Sequence, residues 1–381
     1  MGLMKQRCSL AVGAVAICSM SVTADAQVVP DPPPASRTAP VVQTSSGVPA
    51  GWELEGYGGL SFGRIPTGGE SDFPGPGAPL TTSSPLFPSR RISSWFFGDG
   101  AVLLNAVNAE FGLSDVITPL DGVLTTLGLD SATGGAFGLR IRRAVTPRYS
   151  AEFSVDVMNG STTLTDSLLA GVESSRESFG SAISALLSTG PFADEVVGAE
   201  VTALDGSSRE VAITASATYL FSPGAAFVPY ATLGGGMLFS SGDPVSIALE
   251  GRYRTTIVGV VPIDELDRVT LRFDREQVWI GVVGGGVSRR MSDTWGLRVD
   301  ARVLLGENRA RLLLDASPEV AVGAPAGFIE SFSNPSVQFS NDPSTGRLSS
   351  LSGPPIRDFP IFTGSGLETR FLVTVGVYLR F

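Results

Sequence analysis

The chain has 381 residues, 27 basic and 37 acidic, with a net charge of −10 and no histidine. That acidity argues against nucleic acid as a partner, and the missing histidine removes Ser-His-Asp chemistry, imidazole general bases and histidine metal sites. Forty-six glycines and strong β-branched content favour an all-β protein of one large or two ordinary domains.

Residues 1–26 have the pattern of a secretory signal peptide. Lys5 and Arg7 precede an apolar core, Leu10 to Met20, and Ala24-Asp25-Ala26 forms a small-x-small cleavage site. The core is too short for a membrane-spanning helix, which needs roughly 20 residues. Cys8 and Cys18 both lie inside the signal segment, so the mature chain is expected to hold neither a disulfide nor a thiolate metal site. Ile17 stands before Cys18 where a lipoprotein signal needs a small residue. Without Lys5, Arg7 and Asp25 the balance is 25 basic residues, all Arg, against 36 acidic ones, or −11. Residues 27–50, with Pro32-Pro33-Pro34, form a Pro-rich extended lead-in.

Eight alternating stretches follow. The first, Trp52 to Arg64, puts Trp52, Leu54, Leu60 and Phe62 on one face and Glu53, Glu55, Tyr57 and Ser61 on the other. The second, about Thr133 to Arg143, opposes Phe137, Leu139 and Ile141 to Arg140 and Arg142. In the third, Tyr149, Ala151, Phe153, Val155 and Val157 alternate with Ser150, Glu152, Ser154 and Asp156. The fourth, about Glu210 to Phe221, sets Val211, Ile213, Tyr219 and Phe221 against Glu210, Thr214, Ser216 and Thr218. A tight Ser222-Pro223-Gly224 turn opens the fifth, Phe227 to Phe239, with Tyr230 and Thr232 opposite Leu233, Met237 and Phe239. The sixth, about Val278 to Arg289, puts Val278, Ile280 and Val282 on one face before Gly284-Gly285-Gly286 blurs the parity. The seventh alternates Trp295, Leu297, Val299, Val303 and Leu305 with Arg298, Asp300 and Arg302. The eighth, Phe371 to Phe381, is apolar at every odd position, with Thr374, Gly376, Tyr378 and Arg380 between. Period-two alternation predicts strands with one apolar and one polar face.

The connections alternate long and short, with insertions at about 65–131, 159–208, 240–275 and 306–367. Outer-membrane barrels have short periplasmic turns, long surface loops and an even strand number. A soluble sandwich gives no reason for loop lengths to alternate. The expected fold is therefore all-β: a closed antiparallel transmembrane β-barrel of eight strands, or ten if the third insertion crosses the lipid, with long, partly helical surface loops. Its expected place is the outer membrane of a Gram-negative bacterium, with both barrel termini periplasmic.

The run Glu210–Phe239, a strand, a Ser-Pro-Gly turn, Val-Pro-Tyr and a Gly-rich strand, resembles the OmpA-type family of small outer-membrane barrels, as does Arg289–Leu305. The chain departs from the best-known members in lacking a peptidoglycan-binding domain after the barrel and in its longer insertions. The closing aromatic strand resembles the signal that such barrels present to the insertion machinery, which implies that role for Phe371, Val373, Val375, Val377, Tyr378, Leu379 and Phe381.

With the apolar face on lipid, the inner face carries Glu53, Glu55, Glu152, Asp156, Glu210 and Asp300 against Arg140, Arg142, Arg298, Arg302 and Arg380. Near-balance points to a paired network, since unpaired buried charge is costly. An eight-stranded barrel is just wide enough for its own side chains. The network either fills the lumen or acts as a charge plug whose rearrangement opens a small conductance. No catalytic residue, metal site or cofactor is expected. Glu53 and Glu55 as a carboxylate pair are a commonplace of strands, and the glycine runs at 234–236 and 284–286 lack the strand–helix context of phosphate loops. A non-enzymatic membrane protein serving envelope structure or surface interaction is expected; the alternative is a narrow small-solute or ion channel. Expected partners are outer-membrane lipid, the insertion machinery and an unidentified surface ligand, with the protein a monomer. A surface lipid hydrolase is disfavoured by the missing histidine.

In the second insertion Leu164, Leu168, Val172, Phe179, Ile183, Leu186 and Leu187 recur at helical spacing around Asp166, Glu173, Arg176 and Glu177, which predicts an amphipathic helix or helix pair. The first insertion offers helices at Val102–Phe111 and Val116–Leu127. In the third, Ile247, Leu249, Tyr253, Ile257, Val269, Leu271 and Phe273 predict a hairpin extending the fifth and sixth strands. The fourth, rich in Ser, Pro and Asn near Ser331–Pro355, is expected to be mobile.

Overall fold

Period-two alternation becomes eight long strands closed on themselves. A computed structural model describes residues 51–64, 66, 68–75, 92–131, 133–189, 192–257, 261–322, 351 and 353–381. In chain order the elements are β1 (Trp52–Arg64), β2 (Gly69–Ser71), α1 (Gly98–Glu110), β3 (Leu129–Ser131), β4 (Gly134–Ala144), β5 (Tyr149–Leu164), α2 (Asp166–Leu187), β6 (Phe192–Leu204), β7 (Gly206–Leu220) and β8 (Phe227–Ser241). There follow β9 (Ser246–Ile257), β10 (Val261–Arg275), β11 (Val278–Arg290), β12 (Trp295–Glu307), β13 (Ala310–Val322), β14 (Ile356–Gly364) and β15 (Leu367–Arg380).

Strands β1, β4, β5, β7, β8, β11, β12 and β15 pair in that order, all antiparallel, and β15 returns to β1. The result is a closed eight-stranded barrel without a free edge. One end carries the short turns. There Thr146 Oγ accepts from the backbone N–H groups of Arg148 (3.3 Å) and Tyr149 (3.0 Å). Ser292 Oγ does the same for Thr294 and Trp295, both at 3.2 Å. A hydroxyl at the second turn position thus satisfies the donors that the hairpin leaves open.

The long connections at the other end fold into a cap. Strands β2, β14, β13, β10, β9 and β6 form a second, six-stranded antiparallel sheet. Helix α2 packs across its inner face through Leu168, Val172, Phe179, Ile183 and Leu186, spaced by three, four or seven residues. Thr165 caps the helix by accepting from Leu168 N–H at 3.4 Å. Phe179 and Phe96 stack with ring centroids 5.0 Å apart. Gly251 lies beneath both; a Cβ there would come within 2.7 Å of each ring.

The cap differs from expectation in four respects. Leu164 closes β5 rather than opening α2, which is a single helix. Val116–Leu127 is no helix: Pro119 interrupts it, and only Leu120–Gly122 forms a 3-10 turn. Asn105 of α1 takes the backbone of Ile117 instead, accepting its N–H at 2.7 Å and donating to its carbonyl at 3.0 Å. The third insertion does form a hairpin, β9–β10, but it does not prolong the β8–β11 pairing; it joins β6 and β13 in the separate sheet. The barrel therefore has eight strands, not ten. Strands β6, β13 and β14 were not expected at all. The signal segment, the lead-in at 27–50 and most of Ser331–Pro355 lie outside the described residues.

Two outcomes follow from the cap core. Phe179→Ala should destabilise the cap by about 3–5 kcal/mol, seen as protease cleavage within α2, β6 or the β9–β10 hairpin while the barrel strands stay intact. Asp267 is buried in this core, accepting from Trp95 N–H at 2.6 Å and Ser94 Oγ at 3.0 Å. Burial, with Glu265 nearby, pushes its carboxyl up from 3.8 to about 7. The folded cap thus holds this proton more tightly than the unfolded chain does. Its contribution is complete below pH 3.8 and is lost as pH rises through about 7. Denaturation of the cap followed between pH 4 and 8 should show that decline, and Asp267→Asn should flatten it.

Candidate functional site in the barrel lumen

The inward positions are set by strand parity. The register Glu53↔Arg380, Glu55↔Tyr378 and Tyr57↔Gly376 puts odd residues of β1 and even residues of β15 inside. Successive pairings carry that parity round the barrel. Large inward side chains are accommodated by glycine on the neighbouring strand: a Cβ at Gly376, Gly138, Gly286 or Gly296 would collide with Glu55, Tyr57, Tyr230 or Tyr378.

Near the short-turn end lies one connected charge network. Glu152 takes Arg140 Nε at 3.2 Å, Arg142 at 2.8 Å and Arg302 at 2.6 Å. Arg140 also reaches Glu55 at 3.3 Å and Asp300 at 3.2 Å. Arg302 holds Asp300 at 2.8 Å. Arg298 bridges Glu53, at 2.9 Å, and Glu55. Tyr230 and Tyr57 donate to Asp300 and Asp156, each at 2.5 Å. The guanidiniums lie on rings as well: Arg140 over Tyr57 at 4.5 Å and Arg298 over Tyr378 at 4.9 Å.

Above this network the lumen turns apolar. Ala136, Met158, Ala212, Leu238, Val278, Ile280, Val282, Leu304 and Leu372 pack together across it. A second, smaller charge cluster sits beyond, towards the cap. Arg275, at the end of β10, pairs with Glu210 at 2.9 Å and Glu368 at 3.3 Å; Arg370 pairs with Glu210 and, at 2.8 Å, with Glu368.

Of the eleven lumen residues expected from the sequence, nine form the lower network: Glu53, Glu55, Arg140, Arg142, Glu152, Asp156, Arg298, Asp300 and Arg302. Glu210 belongs to the upper cluster, separated from them by the apolar layer. Arg380 is half-buried at the rim and makes no ion pair among the described residues. The shared face of Val278, Ile280 and Val282 turns inward, where it builds the apolar layer, and Trp279 and Val283 face out. The parity of β11 is unbroken through its glycines. Phe371, Val373, Val375, Val377, Leu379 and Phe381 are exposed, whereas Tyr378 is in the lumen. Tyr57, Tyr230, Arg275, Glu368 and Arg370 were missed as site residues. Extending the alternation of β15 back by three residues would have found Glu368 and Arg370; nothing in the sequence points to Arg275.

No family model matches the chain, and no curated protein matches it. Among solved structures, the outer membrane protein OprG from Pseudomonas aeruginosa aligns over 87% of this chain and 97% of its own, at 9% identity and a TM-score of 0.36. The TodX monoaromatic hydrocarbon channel, as its deltaS2 mutant, aligns over 87% and 89%, at 8% identity and a TM-score of 0.18. Such likenesses carry no inference about this chain; its barrel rests on its own strand pairings.

Glu152→Gln should weaken the bridges to three buried arginines together, at a cost of about 3–5 kcal/mol. Arg380→Ala should stay within about 0.5 kcal/mol. The temperature at which the detergent-folded form shifts in gel mobility measures both.

Proposed function

We propose that the protein is an integral outer-membrane barrel of the OmpA-type kind, non-enzymatic, with a lumen that serves as a structural plug and a folded cap that serves surface interaction. The outer face of the barrel carries this proposal. Leu54, Leu139, Leu233, Val299, Phe371, Val375 and Leu379 are all exposed on it, among many others. An apolar belt of this extent would drive aggregation in water. From Trp52 to Phe62 the strand is about 33 Å long at about 3.3 Å per residue; a tilt near 40° reduces that to about 25 Å, the height of an outer-membrane apolar band.

Aromatic residues border the belt. Trp52, Tyr149, Phe221, Phe227 and Trp295 mark the short-turn end, and Phe62, Phe371 and Trp279 the other. Arg143 lies over Trp52 at 5.1 Å and Arg289 over Phe227 at 4.9 Å, as cations do where a belt meets headgroups. The short-turn end is then periplasmic and the cap extracellular.

Closure of the lumen favours a structural role over conduction. A conducting state would require the lower network to rearrange and the apolar layer to admit water, and these are independent barriers. Purified protein in a planar bilayer should therefore be silent, and Arg298→Ala should remain so because the apolar layer persists. Reproducible single-channel steps, altered by Arg298→Ala, would establish the channel instead.

A further inference from the structure

The short-turn mouth opens into a vestibule of about 530 Å³. Four guanidiniums line it, Arg142, Arg290, Arg298 and Arg380, against one carboxylate, Glu53. In a chain of net charge −10 this local excess runs against the composition. The deeper acids neutralise only part of it. Arg142 is held by Glu152, and Arg298 by Glu53 and Glu55. Arg290 and Arg380 make no ion pair among the described residues.

The facing side of the vestibule, on β5, holds a donor without a partner among the described residues. Ser150 is 4% exposed, lines the vestibule, and its Oγ has no hydrogen-bond partner among the described residues. Arg298 Nε is likewise buried without an acceptor. Buried donors are normally satisfied, so two unmet ones lining one vestibule with two cations unpaired among the described residues mark a place for an acceptor.

We propose that this vestibule binds a small oxyanion, a phosphate or carboxylate group, through Arg290 and Arg380 on one side of the mouth and Ser150 on the facing side. Guanidinium forks match both groups in shape and charge. The volume suits a small solute rather than a macromolecule. Placing the mouth in the periplasm rests on the outer-membrane proposal; the binding does not.

Isothermal titration of the refolded full chain in detergent, with inorganic phosphate and separately with succinate, tests this. Saturable binding of at least one is expected, and the responding probe identifies the class of oxyanion. The double variant Arg290→Ala/Arg380→Ala should lose about tenfold or more in affinity, with its heat-dependent gel mobility unchanged. Ser150→Ala should weaken binding less, and added chloride salt should weaken it by screening. Absence of saturable binding for both probes, or an affinity unchanged in the double variant, would overturn the proposal. Failure to insert into lipid vesicles would overturn the membrane assignment alone.

Discussion

Three guanidinium groups converge on one carboxylate, Glu152, and the lower half of the barrel is arranged around that junction. A carboxylate buried with three cations is tolerable only because each cation has further company. Arg140 and Arg302 share Asp300, and Arg140 extends to Glu55, which Arg298 then ties to Glu53. Desolvating an ion costs several kcal/mol even after relaxation. The network offsets that by using most of its charges more than once, Arg142 and Glu53 making one ion pair each. The bulk of so many inward groups is a second constraint, and the glycines answer it: the strands carrying Gly138, Gly286, Gly296 and Gly376 give up side chains where Tyr57, Tyr230, Tyr378 and Glu55 need space.

The barrel was legible because its outer face is apolar and much of its lumen is polar, so alternate residues carry opposite chemistry. Eight strands, their short turns and nine residues of the lower network follow from that rule. Val278, Ile280 and Val282 show its limit. Where the lumen itself becomes apolar, both faces of a strand are apolar, and parity has to be carried across from the neighbouring register, Ile280↔Gly236 and Ile280↔Gly306. Tyr57 and Tyr230 show another limit. A tyrosine in a strand is equally at home at a membrane rim and in a lumen; only the acid opposite it, Asp156 or Asp300, decides.

The cap was less legible, for a different reason. Its sheet carries a mixed outer face, where Arg272 of β10 pairs with Asp315 of β13 at 3.0 Å and with Asp358 of β14, and Arg268 of β10 with Glu250 of β9, so alternation is diluted by charge ladders. Helix α2 was visible because it buries one continuous stripe. The Val116–Leu127 stretch has comparable apolar content, but Asn105 competes for its backbone and Pro119 cannot donate, so local hydrogen bonding overrides apolar spacing.

The lumen is layered, and the layering divides its labour. The apolar layer of Met158, Leu238, Ile280, Leu304 and Leu372 separates two charge clusters that a single network would have merged. The lower cluster joins only barrel strands: β1, β4, β5 and β12. The upper one contains Arg275, which comes from the cap hairpin and reaches Glu210 on β7 and Glu368 on β15. The first therefore locks the barrel to itself, and the second fastens the cap to the barrel. Because an apolar layer lies between, disturbance of one need not discharge the other. A cap that shifts on contact with a partner would strain the Arg275 pairs first, while the junction at Glu152 stays closed beneath it.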